Sequence, residues 1–175
     1  KNIKLTVSVD KVAASGGYMM ACVADHIIAA PFAILGSIGV LAQIPNFNKL
    51  LKKHDIDFEQ IAAGKYKRTL TMFGENTDAD REKLKEELEE THILFKAFVK
   101  ENRDKVDIEK IATGEHWYGK QALELGLIDE IRTSDDYLGS ATANADVYEI
   151  EYVRKKPFIE KIFSSTVKLF QQDPF

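Results

Sequence analysis

The feature that most constrains this chain is a β-branched run, Leu5-Thr6-Val7-Ser8-Val9, followed closely by Val12-Ala13-Ala14-Ser15-Gly16-Gly17-Tyr18. The first run reads as a buried strand, and Gly16 to Ala24 reads as the start of a helix. A strand fed directly into a helix demands an α/β arrangement, with helices packed on a largely parallel sheet. Ser15 sits at the junction. A serine at a strand-to-helix turn has its hydroxyl exposed beside the free N–H groups of the helix start, and the glycines after it let another backbone approach closely. That is a nucleophile's position, provided a base exists to activate it.

The rest of the chain alternates in the same way. Asp25 to Ala30 reads as a short buried strand stopped by Pro31, and Ala33 to Val40 as a second apolar run punctuated by Gly36 and Gly39. Asn46 to Lys53 reads as a helix, Ile56 to Ala62 as a further strand, and Gly64 to Asn76 as a loop. Thr77 and Asp80 form a capping-box pattern. It opens a helix reaching about Asn102, with Leu84, Leu88, Thr91, Phe95 and Val99 on one stripe. Ile108 to Thr113 and Gly119 to Leu125 read as short helices, the second stopped by Gly126. Leu127 to Ile131 returns as a strand.

With 175 residues the chain is long enough for one real core over residues 1–153, and residues 154–175 read as a basic and amphipathic extension. A net charge of −4 gives no reason to expect nucleic acid as a partner. The lone Cys22 forms no internal disulfide and reads as a buried small hydrophobe. No stretch reaches the roughly 18 apolar residues of a membrane span. Lys1 enters a strand with no lead-in, so the chain reads as a piece of a longer protein.

The base is harder to find. His26, His54, His92 and His116 are the four histidines, and none is coupled to an acid by a visible pattern. His92 borders the apolar stripe and reads as a satisfied helix histidine. A lysine can replace a histidine if burial lowers its pKa from about 10.4 far enough to leave a free amine. The basic loop Gly64-Lys65-Tyr66-Lys67-Arg68 offers two such lysines, which spacing alone does not separate.

Four ordered motifs bear on the choice: Ala14-Ser15-Gly16-Gly17-Tyr18, Gly36-Ser37-Ile38-Gly39-Val40, Gly64-Lys65-Tyr66-Lys67, and Tyr118-Gly119-Lys120-Gln121-Ala122 through Gly126-Leu127-Ile128-Asp129-Glu130. Together they resemble the S49 peptidase family, which includes signal peptide peptidase A, and most of all its SohB branch. The resemblance covers about residues 1–150. It implies a ClpP/crotonase-like fold and a Ser-Lys dyad, with Ser15 as nucleophile and Lys67, the lysine ending the Gly-x-Tyr-Lys motif, as general base. Ser37 matches a serine that orients that lysine, and the Gly16 N–H matches an oxyanion-hole donor. No metal or cofactor is implied.

The resemblance also implies peptide or protein substrates, with apolar or signal-peptide-like segments preferred. It further implies a homo-oligomer and a membrane-anchored parent in the bacterial inner membrane, its catalytic domain facing the periplasm. The first strands of the fold and the loop carrying a second oxyanion donor are expected upstream of Lys1. Without that donor, activity should fall on the order of a hundred- to a thousand-fold. Two other readings compete: a crotonase-like acyl-CoA hydratase or isomerase, and an inactive assembly subunit.

Overall fold

The computed structural model describes residues 3–64 and 66–152. It divides into two compact units, Lys1–Ser140 and Ala141–Phe175. The first is a mixed α/β unit built from two small sheets. Strands β1 (Thr6–Val9), β3 (His26–Ala29) and β6 (Glu130–Ile131) form one, in the order β1-β3-β6. Strands β2 (Val12–Ala14), β4 (Ile34–Gly36) and β5 (His116–Tyr118) form the other, in the order β2-β4-β5. β1 and β6 both run parallel to β3, and β2 runs parallel to β4; β4 and β5 are antiparallel. Parallel strands covered on both faces read as continuous apolar runs, and Ile27, Ile28 and Ala29 of β3 are fully buried.

The helices are α1 (Gly16–Ala21), α2 (Asn48–Lys53), α3 (Asp78–Asn102), α4 (Ile108–Ile111), α5 (Gly119–Glu124) and α6 (Ser134–Ala141). Thr77 and Asp80 close the capping box that starts α3. The stripe on α3 is graded. Leu84 and Leu88 are half-buried, Thr91 is exposed and bonds Glu87 O, and Phe95 and Val99 lie in the core. At the end of α5, Gly126 takes φ 75°. The Leu127 N–H reaches Ala122 O at 2.8 Å and the Gly126 N–H reaches Leu123 O at 3.1 Å, the two bonds of a Schellman stop.

Three sequence expectations are corrected, and two elements are added. Ile56 to Ala62 is no strand: Phe58 packs beside Phe73 at 5.7 Å, as Phe47 does at 6.0 Å, while Ile56 and Ile61 are exposed and pair with no sheet. The strand feeding Ser15 is β2, a three-residue strand of small side chains, and the β1 run pairs separately. Residues 127–129 are buried or half-buried without strand pairing, so β6 begins only at Glu130. β5 and α6, unforeseen, are held by distant partners. β5 pairs with β4, and the Ser134 N–H and hydroxyl both donate to the Asp10 carboxylate.

Of the second unit, residues 141–152 are described. They form a turn on the Ala141 carbonyl and then an irregular run in which Tyr148, Ile150 and Tyr152 are exposed. The amphipathic stretch expected from 154 lies outside the described residues.

Candidate active site

Ser15 joins β2 to α1 with φ 52° and ψ −122°. A left-handed φ is uncommon for a serine and stores strain. Neighbouring bonds hold it there. The Ser15 N–H donates to Gly36 O at 2.7 Å, and the Ser15 carbonyl accepts from Tyr18 and Met19 at 3.0 Å each. The N–H groups of Gly16 and Gly17 are left without a partner among the described residues. A side chain at either glycine would meet nothing within 4 Å, so the space beside Ser15 is open. Behind the turn α1 is anchored by Tyr18, fully buried, whose hydroxyl donates to Leu127 O at 2.8 Å.

Ser15, Gly16 and Ser37 line one cleft of about 660 Å³, together with Met19, His92 and Phe95. Ser37 arrives on a second strained turn, with Gly36 at φ 87° and Ser37 at φ 50°. Its N–H donates to Glu115 O at 2.7 Å, and its hydroxyl lies 3.4 Å from Gly114 O. The approach is tight: a Cβ on Gly39 would stand 2.9 Å from Gly114 Cα.

Lys67 stands elsewhere. It is exposed and lines a separate cleft of about 590 Å³ with Phe58, Ile61, Met72 and Phe73. Within this chain the structure therefore gathers Ser15, Gly16 and Ser37 and leaves Lys67 apart. Lys65 lies outside the described residues.

The histidines part company too. His26 sits 3.4 Å from Glu130 Oε2 and 3.8 Å from Asp129 Oδ2. His54 caps α2, and His116 packs edge-on against Tyr118. Only His92 reaches the Ser15 cleft, where its Nε2 lies 3.2 Å from Ile38 O. It is a satisfied helix histidine, as its place on the stripe implied, yet its location was hidden by its separation of 54 positions from Ile38. Thr113 and Gly114, also in the lining, carried no signal beyond the end of the short helix expected from Ile108. Cys22 is no rival nucleophile: it is buried, and burial pushes its thiol up, away from the reactive thiolate.

A serine on a strained strand-to-helix turn, beside unclaimed N–H groups and an open cleft, is the geometry of serine hydrolases with a nucleophile elbow. The model of peptidase family S49 matches residues 1–148, and the chain belongs to that family. It is 60% identical over 161 residues to a probable protease SohB of Haemophilus influenzae, covering 92% of this chain and 46% of the relative. A probable protease SohB of Buchnera aphidicola is 59% identical over 165 residues, 94% of this chain and 49% of the relative. A putative protease of Methanocaldococcus jannaschii is 36% identical over 156 residues, 87% of this chain and 50% of the relative. The chain thus spans about half the length of these curated relatives.

Proposed function

We propose that this chain is the catalytic part of a serine endopeptidase that uses Ser15 and Lys67 as a dyad on a ClpP/crotonase-like scaffold. The observation that carries the reading is the Ser15 turn: a strained serine, two unclaimed N–H groups and open space on one cleft. Neutral Lys67 takes the Ser15 proton, and Oγ attacks the peptide carbonyl. The Gly16 N–H stabilises the oxyanion, and the protonated lysine then gives its proton to the leaving amine. Water, deprotonated by the same amine, releases the acyl group. Ser37, on the same cleft, orients the amine.

This chemistry requires Lys67 Nζ within hydrogen-bond reach of a Ser15 Oγ. The segment that carries Lys67 must therefore reach a Ser15 cleft, on its own chain or on a second copy. Exposed Leu41, Phe47, Ile56, Phe58 and Ile61 support a homo-oligomer, since they offer apolar surface for another copy to cover. Apolar substrate segments fit a cleft with Met19, Val40, Leu41 and Phe95 in its lining. The inner-membrane setting with a periplasmic catalytic domain rests on the family resemblance; among the described residues no helix is long and apolar enough to cross a membrane. A crotonase-like reaction is disfavoured, because no carboxylate is among the described residues lining the Ser15 cleft.

The test is hydrolysis of an Ala- and Leu-rich internally quenched peptide by the full-length protein and its Ser15→Ala, Lys67→Ala and Lys65→Ala variants. Loss of turnover in the first two and retention in the third is the expected result. Four indistinguishable proteins would refute the dyad.

A further inference from the structure

We propose that His92 is a positioning residue of the Ser15 site, holding the Gly36–Gly39 turn, and Ser37 with it, through the Ile38 carbonyl. The inference rests on the peptidase reading for its effect on turnover, but not for the contact itself.

The turn needs holding. Two consecutive residues have positive φ, Gly36 at 87° and Ser37 at 50°, and the serine keeps such a conformation only where its surroundings over-determine it. Two sides are accounted for. The Ser15 N–H grips Gly36 O at 2.7 Å, and Glu115 O receives the Ser37 N–H at 2.7 Å. The third side is α3. Ile38 buries its side chain completely, and its carbonyl lies 3.2 Å from His92 Nε2. A carbonyl only accepts, so Nε2 is the donor and carries the proton.

The helix places this donor rigidly. Phe95, three residues on and therefore on the same face, is 5% exposed and lines the same cleft as His92. His92 is half-buried, and it is the one ionisable side chain of Asp, Glu, His, Lys or Arg type among the described residues lining the cleft. Its ring therefore does two things at once: it forms part of the wall and pins the turn that presents Ser37.

The test uses the full-length protein. His92→Phe keeps a ring and removes the donor, while His92→Gln returns an N–H donor. With the Ala- and Leu-rich quenched peptide, His92→Phe should lower kcat about tenfold with KM changed less than about twofold, and His92→Gln should recover most of kcat. Amide hydrogen exchange in peptides covering residues 35–40 should rise in His92→Phe and stay near wild type in His92→Gln. Wild-type kcat and wild-type exchange in His92→Phe would overturn the proposal. Equal loss of turnover to background in both variants also overturns it, because the ring would then be the reacting base. If Ser15→Ala cleaves as well as wild type, or wild type does not cleave, the peptidase reading fails separately; the exchange comparison then decides alone whether His92 holds the turn.

Discussion

The Ser15 N–H donates to the Gly36 carbonyl at 2.7 Å, tying the turn that presents one cleft serine to the turn that presents the other. That bond makes Gly36 a two-sided constraint. Its φ of 87° disfavours any L side chain, and a Cβ there would stand 2.9 Å from Trp117 Cδ1 and 3.4 Å from Glu115 O. Gly36→Ala should therefore cost about 2–4 kcal/mol, combining backbone strain with overpacking. Gly64→Ala is the comparison: φ is 96° but nothing lies within 4 Å, so strain alone should cost about 1–2 kcal/mol. Urea unfolding of both variants measures the difference. Equal losses would mean that the Trp117 contact costs nothing.

Ser15 itself stores strain that a glycine would release. At φ 52° and ψ −122° the serine costs about 1–3 kcal/mol, while glycine's extra freedom in the unfolded chain costs about 0.4–1 kcal/mol. Ser15→Gly should therefore be more stable than wild type by about 1 kcal/mol, whereas Ser15→Ala keeps the strain and gains nothing. Both lose turnover under the proposed mechanism. Melting curves of the two variants check this, and identical curves would mean that the strain at Ser15 is no larger than the glycine's entropic cost of about 0.4–1 kcal/mol.

The parts of this architecture legible in the sequence are those fixed locally. Thr77 with Asp80, and Gly126 after α5, announced a helix start and a helix stop, since each is decided by residues within one turn. The strands set by remote partners were not legible. β5 is three residues long and exists because β4 pairs with it, and α6 starts where Asp10, 124 residues earlier, receives Ser134. Ile56 and Phe58 have the spacing of a strand face, but an aromatic contact with Phe73 took Phe58. At the site, Ser15, Gly16 and Ser37 share a cleft, and His92, Phe95 and Gly114 joined it through long-range packing that no local pattern encodes. Lys67 was legible only as the end of a motif, and the folded chain puts it on another cleft.

Gly119, within the last of the four ordered motifs, has a packing reason. A Cβ there would run into the carbonyl oxygen of Ala30 and stand 3.1 Å from that of Pro31. Helix propensity alone would make Gly119→Ala stabilising by about 1 kcal/mol. The backbone contact reverses that sign, because neither carbonyl lies on a flexible side chain that could swing aside. A loss of at least about 2 kcal/mol is expected, read by denaturant midpoint. A gain in stability would mean that the start of α5 shifts freely away from the β3–β4 connection.

The same motif carries Asp129, whose carboxylate ties the end of α3 to β3. Arg103, at the end of α3, places two nitrogens on it at 2.9 Å each, and the Ile27 N–H of β3 donates at 2.8 Å. Burial pushes this carboxyl upward, but the Arg103 and Ile27 bonds outweigh it and hold it below the usual carboxylate range. A folded-state pKa below the unfolded value of about 3.9 gives stability that is present above that pH. That stability is lost as pH falls through the lower, folded value. Asp129→Asn should cost about 3–5 kcal/mol at pH 7, because Arg103 is 8% exposed and is left buried without its counter-charge. Below about pH 4 the wild type begins to lose this contribution, so its urea midpoint should move toward that of the variant as pH falls. A gap that stays constant from pH 7 to pH 3 would show that the Arg103 pair contributes packing and no charge stabilisation.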